Sequence, residues 1–221
     1  MPSQRARACT PGAEKEQTTL LYHLMLFAHI VGVLILFMSI GIQLAIVFGL
    51  RRAQTAEQAR VWLRAAPVVA RMFPLATLLI LVAGISMVLT AWSILTAWVD
   101  VAFVAVLLLA MLGPVVTGAR FKALHQAAVS APGGAPATGA GHPFDDPVLR
   151  GAALTMAAVT FGIVYLMVIK PDLLGSLVTM AVALALGGVL ALLGRRSAAP
   201  VPVPVVARMR AIAPAEEGGQ A

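Results

Sequence analysis

Residues 17–50 read QTTLLYHLMLFAHIVGVLILFMSIGIQLAIVFGL and contain no Asp, Glu, Lys or Arg. A helix needs about 20 predominantly apolar residues to cross the roughly 30 Å hydrocarbon core of a bilayer, so this stretch is long enough to span it. Four further charge-free stretches follow in the chain, at 72–99, 101–119, 151–169 and 173–194. This pattern predicts an all-α protein, a polytopic transmembrane helical bundle with five spans.

The composition of the whole chain supports a membrane protein. Of the 221 residues, 60% are hydrophobic and only 11% are charged, whereas about 25% of residues are charged in an ordinary soluble domain. This excludes soluble enzymes, disulfide scaffolds and disordered chains. The net charge is +7, but the cations lie at the ends of apolar stretches and are not interleaved with base-stacking aromatic residues. We therefore expect the lipid bilayer as a partner, and no nucleic acid.

The spacing of polar and apolar stretches divides the chain into five parts. Residues 1–18 predict a disordered N-terminal tail, and residues 19–130 predict a three-helix membrane unit. Residues 131–147 are rich in Gly, Pro and Ala, which predicts a flexible connector. A two-helix membrane hairpin is expected over residues 148–196. The proline-rich residues 197–221 predict a disordered C-terminal tail.

Residues 51–71 form an arginine-rich loop with five arginines. Its simplest interpretation is a topology signal. Arg60 and Arg64 are four residues apart and share a helix face, which predicts a short interfacial helix among anionic lipid headgroups. Pro67 and Pro74 are expected to mark the entry into the second span.

The distribution of lysine and arginine predicts the orientation. Twelve of the 16 lie on one predicted side, in the loop 51–71, in residues 120–150 and near the C-terminus. Cytoplasmic loops carry the excess of cations, so the C-terminus is expected in the cytoplasm and the N-terminus outside, in a bacterial plasma (inner) membrane.

Small residues at helical spacing predict where helices approach each other closely, because membrane helices pack best where side chains are small. The fifth span has them every four residues, and the first and fourth spans offer shorter patterns. Contact within one subunit is the ordinary interpretation, and a homo-oligomer or another membrane partner stays open. The residues are Ala183, Gly187 and Ala191, then Ala153 and Ala157, then Gly32 and Gly41.

His29 is an ionisable residue well inside the first span, and such groups are functional hypotheses in a membrane. Three interpretations compete. The imidazole packs and donates to a backbone carbonyl or to a hydroxyl such as Thr90 or Ser93. Alternatively, it forms a proton-responsive pair with Asp100, at the start of the third span. As a third alternative, it ligates a metal ion or haem.

For the third interpretation, haem b and copper are the cofactors to consider. Met87 and Met167 in the same half of the membrane would complete a soft Cu(I) site with His29 or His23. His23 lies six residues earlier on another face of the helix, so the two histidines do not share one metal ion. A haem with two axial histidines needs a second buried histidine, which a single chain does not supply.

Other patterns point less clearly to chemistry. His142, Asp145 and Asp146 would suit a divalent ion, but a Gly/Pro-rich loop offers no preorganised geometry. The sequence has no Ser-His-Asp arrangement, phosphate loop, HExxH or CxxC. Enzymatic activity is therefore not expected, and the sequence alone leaves the molecular function unknown.

Several motifs occur in an order that resembles a known group. They are HIVG at 29–32 with a nearby Ser/Gly pair, LVAGISMV at 81–88, a Trp-containing turn, and GARFKAL at 118–124. Over residues 20–125 this order is similar to an uncharacterised family of bacterial integral membrane proteins. More distantly, it resembles the copper-resistance protein CopD and the membrane protoporphyrinogen oxidase HemJ.

The resemblance to HemJ implies haem at the first-helix histidine, which carries over to His29 alone. The chain departs from that pattern, because no tryptophan follows His29 in its helix and no lysine occurs in residues 101–119. The alternatives are a haem- or copper-binding redox or metal-handling protein, a small proton-coupled permease, or a helper subunit of a membrane complex.

Overall fold

The computed structural model describes residues 11–91, 96–131 and 144–196, without the side chains of residues 11–15, 91 and 194–196. No β-strand occurs in these ranges. A π-helical segment, Gly113–Gly118, joins the fourth helix to the fifth. The helices are α1 (Pro11–Arg52), α2 (Ala56–Leu63), α3 (Ala66–Ala91), α4 (Ala97–Leu112), α5 (Ala119–Ser130), α6 (Pro147–Ile169) and α7 (Leu173–Arg196).

Five segments are long and apolar enough to cross a membrane, which confirms the predicted all-α bundle with five spans. Large apolar side chains such as Leu34, Leu108 and Leu184 are exposed on its outside, where a bilayer would solvate them. The segments are Glu16–Arg52, Ala56–Thr90, Ala97–Ser130, Pro147–Ile169 and Leu173–Leu193.

The predicted three-helix and two-helix units pack together as one bundle. A single apolar core contains Leu36 of α1, Ile80 of α3, Val106 of α4 and Ile163 of α6. The stretch proposed as a connector therefore separates the two units in sequence but not in space.

Helix α1 begins at Pro11, so residues 11–18 of the predicted N-terminal tail are helical. Proline is favoured at the first helical position, where its missing N–H is not needed. Residues 1–10 lie outside the described part of the chain.

The second span begins earlier than its prolines suggested. Helix α3 starts at Ala66, so Pro67 lies in its first turn and Pro74 lies inside it. A membrane helix tolerates an internal proline because neighbouring polar groups satisfy the freed backbone. The π-helical segment begins at Gly113-Pro114, where the proline lacks the N–H that an α-helix would use.

Arg60 binds protein rather than standing free at the surface. Its Nε donates to the carbonyl of Ala128 at 2.8 Å, and one terminal nitrogen donates to the carbonyl of Ala131 at 2.8 Å. These carbonyls lie at the end of α5, where helix carbonyls lack intrahelical partners and carry partial negative charge. Arg64 is exposed. The two arginines of the predicted interfacial face thus have different environments.

The last residues of the predicted flexible connector, from Phe144 onward, pack against the bundle. Phe144 is buried, and helix α6 already begins at Pro147. A carboxylate oxygen of Asp146 accepts hydrogen bonds from the amides of Val148 and Leu149, so Asp146 is the N-cap of α6. Residues 132–143 and 197–221 lie outside the described part of the chain.

Helices α6 and α7 pack through the small residues expected to bring helices together. A Cβ on Gly187 would lie 2.6 Å from the Thr155 Cα, and one on Gly162 would lie 3.0 Å from the Ala183 Cβ. On α1, Gly32 lies against Ile80 of α3, whereas Gly41 has no neighbour within 4 Å. The prediction is therefore confirmed for Gly32 and Gly187 and wrong for Gly41.

Candidate functional site

A cavity of about 540 Å³ lies between α1, the second half of α3, the beginning of α4 and the end of α6. We call it the His29 cavity. His29, Met87, Asp100 and Met167 all line it, although they belong to four different helices. The structure thus brings together all four residues that the sequence singled out.

His29 is held in one orientation by the backbone of α3. Its Nδ1 lies 3.2 Å from the carbonyl oxygen of Ile80. Because a carbonyl only accepts, Nδ1 is the protonated nitrogen, and Nε2 of the neutral ring carries a lone pair. This is the backbone contact of the first interpretation. It is also the arrangement that fixes the tautomer of metal-ligating histidines.

Gly84 of α3 borders the His29 ring. Gly84 has no side chain, and a Cβ built there would lie 3.5 Å from Nδ1 of His29. The sequence contains Gly84 within LVAGISMV but gives no sign that it borders the histidine.

The hydroxyl partners considered for His29 do not bind it in the described structure. Thr90 donates to the carbonyl of Ser86 in its own helix at 2.9 Å. Ser93 lies outside the described residues. Asp100 lines the same cavity, yet no hydrogen bond joins its carboxylate to His29 within the described part of the chain.

Charged groups of both signs lie where the cavity meets the end of the bundle. Asp100 is exposed in the first turn of α4, where the helix dipole favours a carboxylate. The Lys170 Nζ lies 5.8 Å from the ring centroid of Trp98, a cation–π distance. Lys170 and Trp98 also line the cavity, and the sequence did not indicate their role. Lys170 sits in the short turn between α6 and α7, which explains why it faces α4.

Met87 and Met167 complete the set of soft donors. Both are half-buried and line the cavity, Met87 from α3 and Met167 from α6. A thioether is a soft ligand, and with an imidazole it suits Cu(I) better than a hard cation. Among the residues that line the cavity, His29 is the single histidine.

The acidic residues before α6, which were considered as ligands of a divalent ion, pair with arginines in the structure. Asp145 accepts two hydrogen bonds from Arg150, at 2.6 and 2.9 Å, and lies 3.7 Å from Arg51. Asp146 pairs with Arg120 at 3.1 Å. The described residues contain no group of three or more His, Cys, Asp or Glu side chains that would hold a metal ion. His142 lies outside them.

Comparison with protein-family models, curated proteins and solved structures finds no match for this chain. The resemblance to the uncharacterised membrane family, CopD and HemJ therefore stays a prediction, and the case for a function depends on the His29 cavity itself.

Proposed function

We propose that this protein binds a soft metal ion, Cu(I), in the His29 cavity through His29, Met87 and Met167. The observation that supports this is that one imidazole and two thioethers, from three different helices, line one cavity. Neutral imidazole and thioether together suit Cu(I), while the harder divalent cations prefer oxygen ligands.

The hydrogen bond from His29 supports the same proposal. A metal-binding histidine usually donates its second ring N–H to a carbonyl or a carboxylate, which orients the ring and makes the free nitrogen more basic. His29 makes this contact with the Ile80 carbonyl.

Two alternatives have weaker support. A haem b with two axial histidines needs a second histidine, and His29 is the single histidine in the lining of the cavity. A proton-responsive pair with Asp100 lacks a hydrogen bond between the two side chains in the described structure.

We also propose a location for the protein. The charge distribution favours a bacterial plasma membrane, with the N-terminus outside and the C-terminus in the cytoplasm. In this orientation the His29 cavity opens toward the outside, because it is lined by the ends of α3 and α6 that lie away from the arginine-rich loop. Labelling of the two termini tests this orientation.

Titration of the purified protein with Cu(I), in competition with a chromophoric Cu(I) chelator, tests the metal site. We expect one Cu(I) per chain for the wild type. His29→Ala, Met87→Leu and Met167→Leu should each weaken binding about tenfold or more, because even loss of an outer partner of a metal ligand costs 10–100-fold.

The chain offers a matched control for each ligand type. His23→Ala removes an exposed histidine of the same helix, bound to the Thr19 carbonyl. Met38→Leu removes a methionine exposed on the outside of α1. Both should bind copper as the wild type does. The proposal is wrong if the wild type binds no copper or if His29→Ala binds it equally well, and a Soret absorption band that is lost in His29→Ala would point to haem instead.

A further inference from the structure

A second cavity, of about 510 Å³, lies in the opposite half of the bundle. Its walls are residues 66–74 of α3 on one side and residues 113–126 of the π-helical segment and α5 on the other. Gln43 of α1 contributes to its floor. We call it the Lys122 groove, after the lysine at one end. The proposed copper site does not use this groove.

The groove opens sideways. Its floor includes Phe73 and Thr117, which are buried, while Ala70, Pro74 and Pro114 on its rim are exposed. The rim residues belong to segments long and apolar enough to cross the membrane. Pro74 and Pro114 lie in the charge-free stretches 72–99 and 101–119, so we expect this part of the rim to meet hydrocarbon and to admit the acyl chain of a lipid.

The shape and polarity of the groove suit a slender apolar chain. Its walls carry small residues and proline rings, and a Cβ on Gly118 would meet no atom within 4 Å. Gln43 is only 1% exposed, and its amide nitrogen lies 4.0 Å from the sulfur of Met156. The floor therefore presents very little polar surface to an occupant.

The charge at one end of the groove indicates which kind of lipid headgroup would bind there. Lys122 and His125 line this end on successive turns of α5, and no acidic residue lines the groove. Arg71 is exposed on α3 beside the same wall. Basic pockets between membrane helices attract anionic lipid headgroups, each cation contributing about 1 kcal/mol, or about fivefold in affinity.

We propose that the Lys122 groove is a binding site for one anionic phospholipid. The phosphate lies against Lys122 and His125, and an acyl chain occupies the channel between Pro74 and Pro114. This site differs from the general attraction of headgroups to the arginine-rich loop, because it has a defined apolar channel and one defined end.

Native mass spectrometry of the full chain tests the site, with phosphatidylglycerol or phosphatidylcholine added to the detergent-purified protein. The wild type should retain one phosphatidylglycerol in preference to phosphatidylcholine. Lys122→Gln should weaken retention of phosphatidylglycerol about fivefold, the effect of one cation near a headgroup. Gly118→Leu should abolish it, because Gly118 lines the channel, a Cβ there meets no protein atom within 4 Å, and the larger side chain would compete with the acyl chain for this space.

Two variants control for charge and for added volume. Arg52→Gln removes an exposed cation that does not line the groove, and Gly41→Leu adds the same side chain at a glycine with no neighbour within 4 Å. Both should retain the lipid as the wild type does. Equal retention of the two lipids by the wild type would contradict the proposal, and so would unchanged retention in Gly118→Leu. If the wild type forms dimers without bound lipid and Gly118→Leu is monomeric, a second copy of the chain occupies the groove instead.

Discussion

At the scale of single residues, the least expected feature is a buried charge. The side chain of Arg150 is only 3% exposed, although it lies in the first turn of a membrane helix. Asp145 is its partner at 2.6 Å, and the guanidinium Nε has no hydrogen-bond partner in the described structure. Because one N–H of this buried guanidinium is unsatisfied, the stability of the protein depends strongly on its carboxylate partner, Asp145.

Asp145→Asn should therefore lower the free energy of unfolding by about 3 kcal/mol, because removal of one member of a buried pair leaves the other charge uncompensated. Unfolding in mixed detergent micelles measures this change. Glu57→Gln, at an exposed acidic residue of α2, should have almost no effect.

The double variant Asp145→Asn, Arg150→Met should recover most of the lost stability, since an apolar side chain needs no countercharge. If Asp145→Asn alone is as stable as the wild type, then Asp145 is not the main partner that stabilises the buried charge of Arg150.

The same residues show the limit of sequence reasoning at this scale. His29 was identified because an ionisable group is rare within an apolar run, a signal that a single sequence contains. The burial of Arg150 was not predicted, because its position at the edge of an apolar run resembles any cation at a membrane surface. Gly84 and the Ile80 carbonyl were not predicted either, because a backbone contact between helices leaves no pattern of residue types.

At the scale of elements, the contact between α6 and α7 depends on backbone proximity. Gly187 faces the backbone of Thr155, while its neighbour Gly188 has no atom within 4 Å of a built Cβ. Two adjacent glycines in one helix therefore have opposite environments. This arises because membrane helices gain little from burial of apolar area and pack where small residues allow close approach.

Gly187→Ala should destabilise the protein by about 1–3 kcal/mol, the usual cost of an added group in a packed interface. Gly188→Ala should leave the stability equal or slightly higher, since alanine favours a helix over glycine. The apparent melting temperatures of both variants in detergent measure the difference. Equal effects of the two substitutions would mean that the α6–α7 contact is looser than described.

The helices themselves were predictable, but several of their ends were not. Apolar runs identified all five spans, because only a helix satisfies its own backbone in lipid. The starts of α1, α3 and α6 were placed too late, since charge and proline were taken as boundaries. In the structure, Pro11, Pro67 and Pro147 lie in first turns, where proline is compatible with helix.

At the scale of the whole molecule, the His29 cavity and the Lys122 groove lie in opposite halves of the described bundle. The His29 cavity lies beside residues 80–89 of α3, and the Lys122 groove lies beside residues 66–74 of the same helix. The sequence indicated the ligand types of the first cavity but not the second, because a groove forms only when α3 and α5 are placed together. Both proposals assign their ligands to sides of a membrane, so both depend on the topology.

The topology is the central claim, and cysteine labelling in intact cells tests it most directly. The chain has one cysteine, Cys9, and a second site is available as Ala221→Cys in a Cys9→Ser background. With five crossings and the N-terminus outside, a membrane-impermeant maleimide should label Cys9 in intact cells. It should label the Ala221→Cys variant only after permeabilisation. Labelling of both positions from the same side would contradict an odd number of spans, and the reverse pattern would invert the proposed orientation.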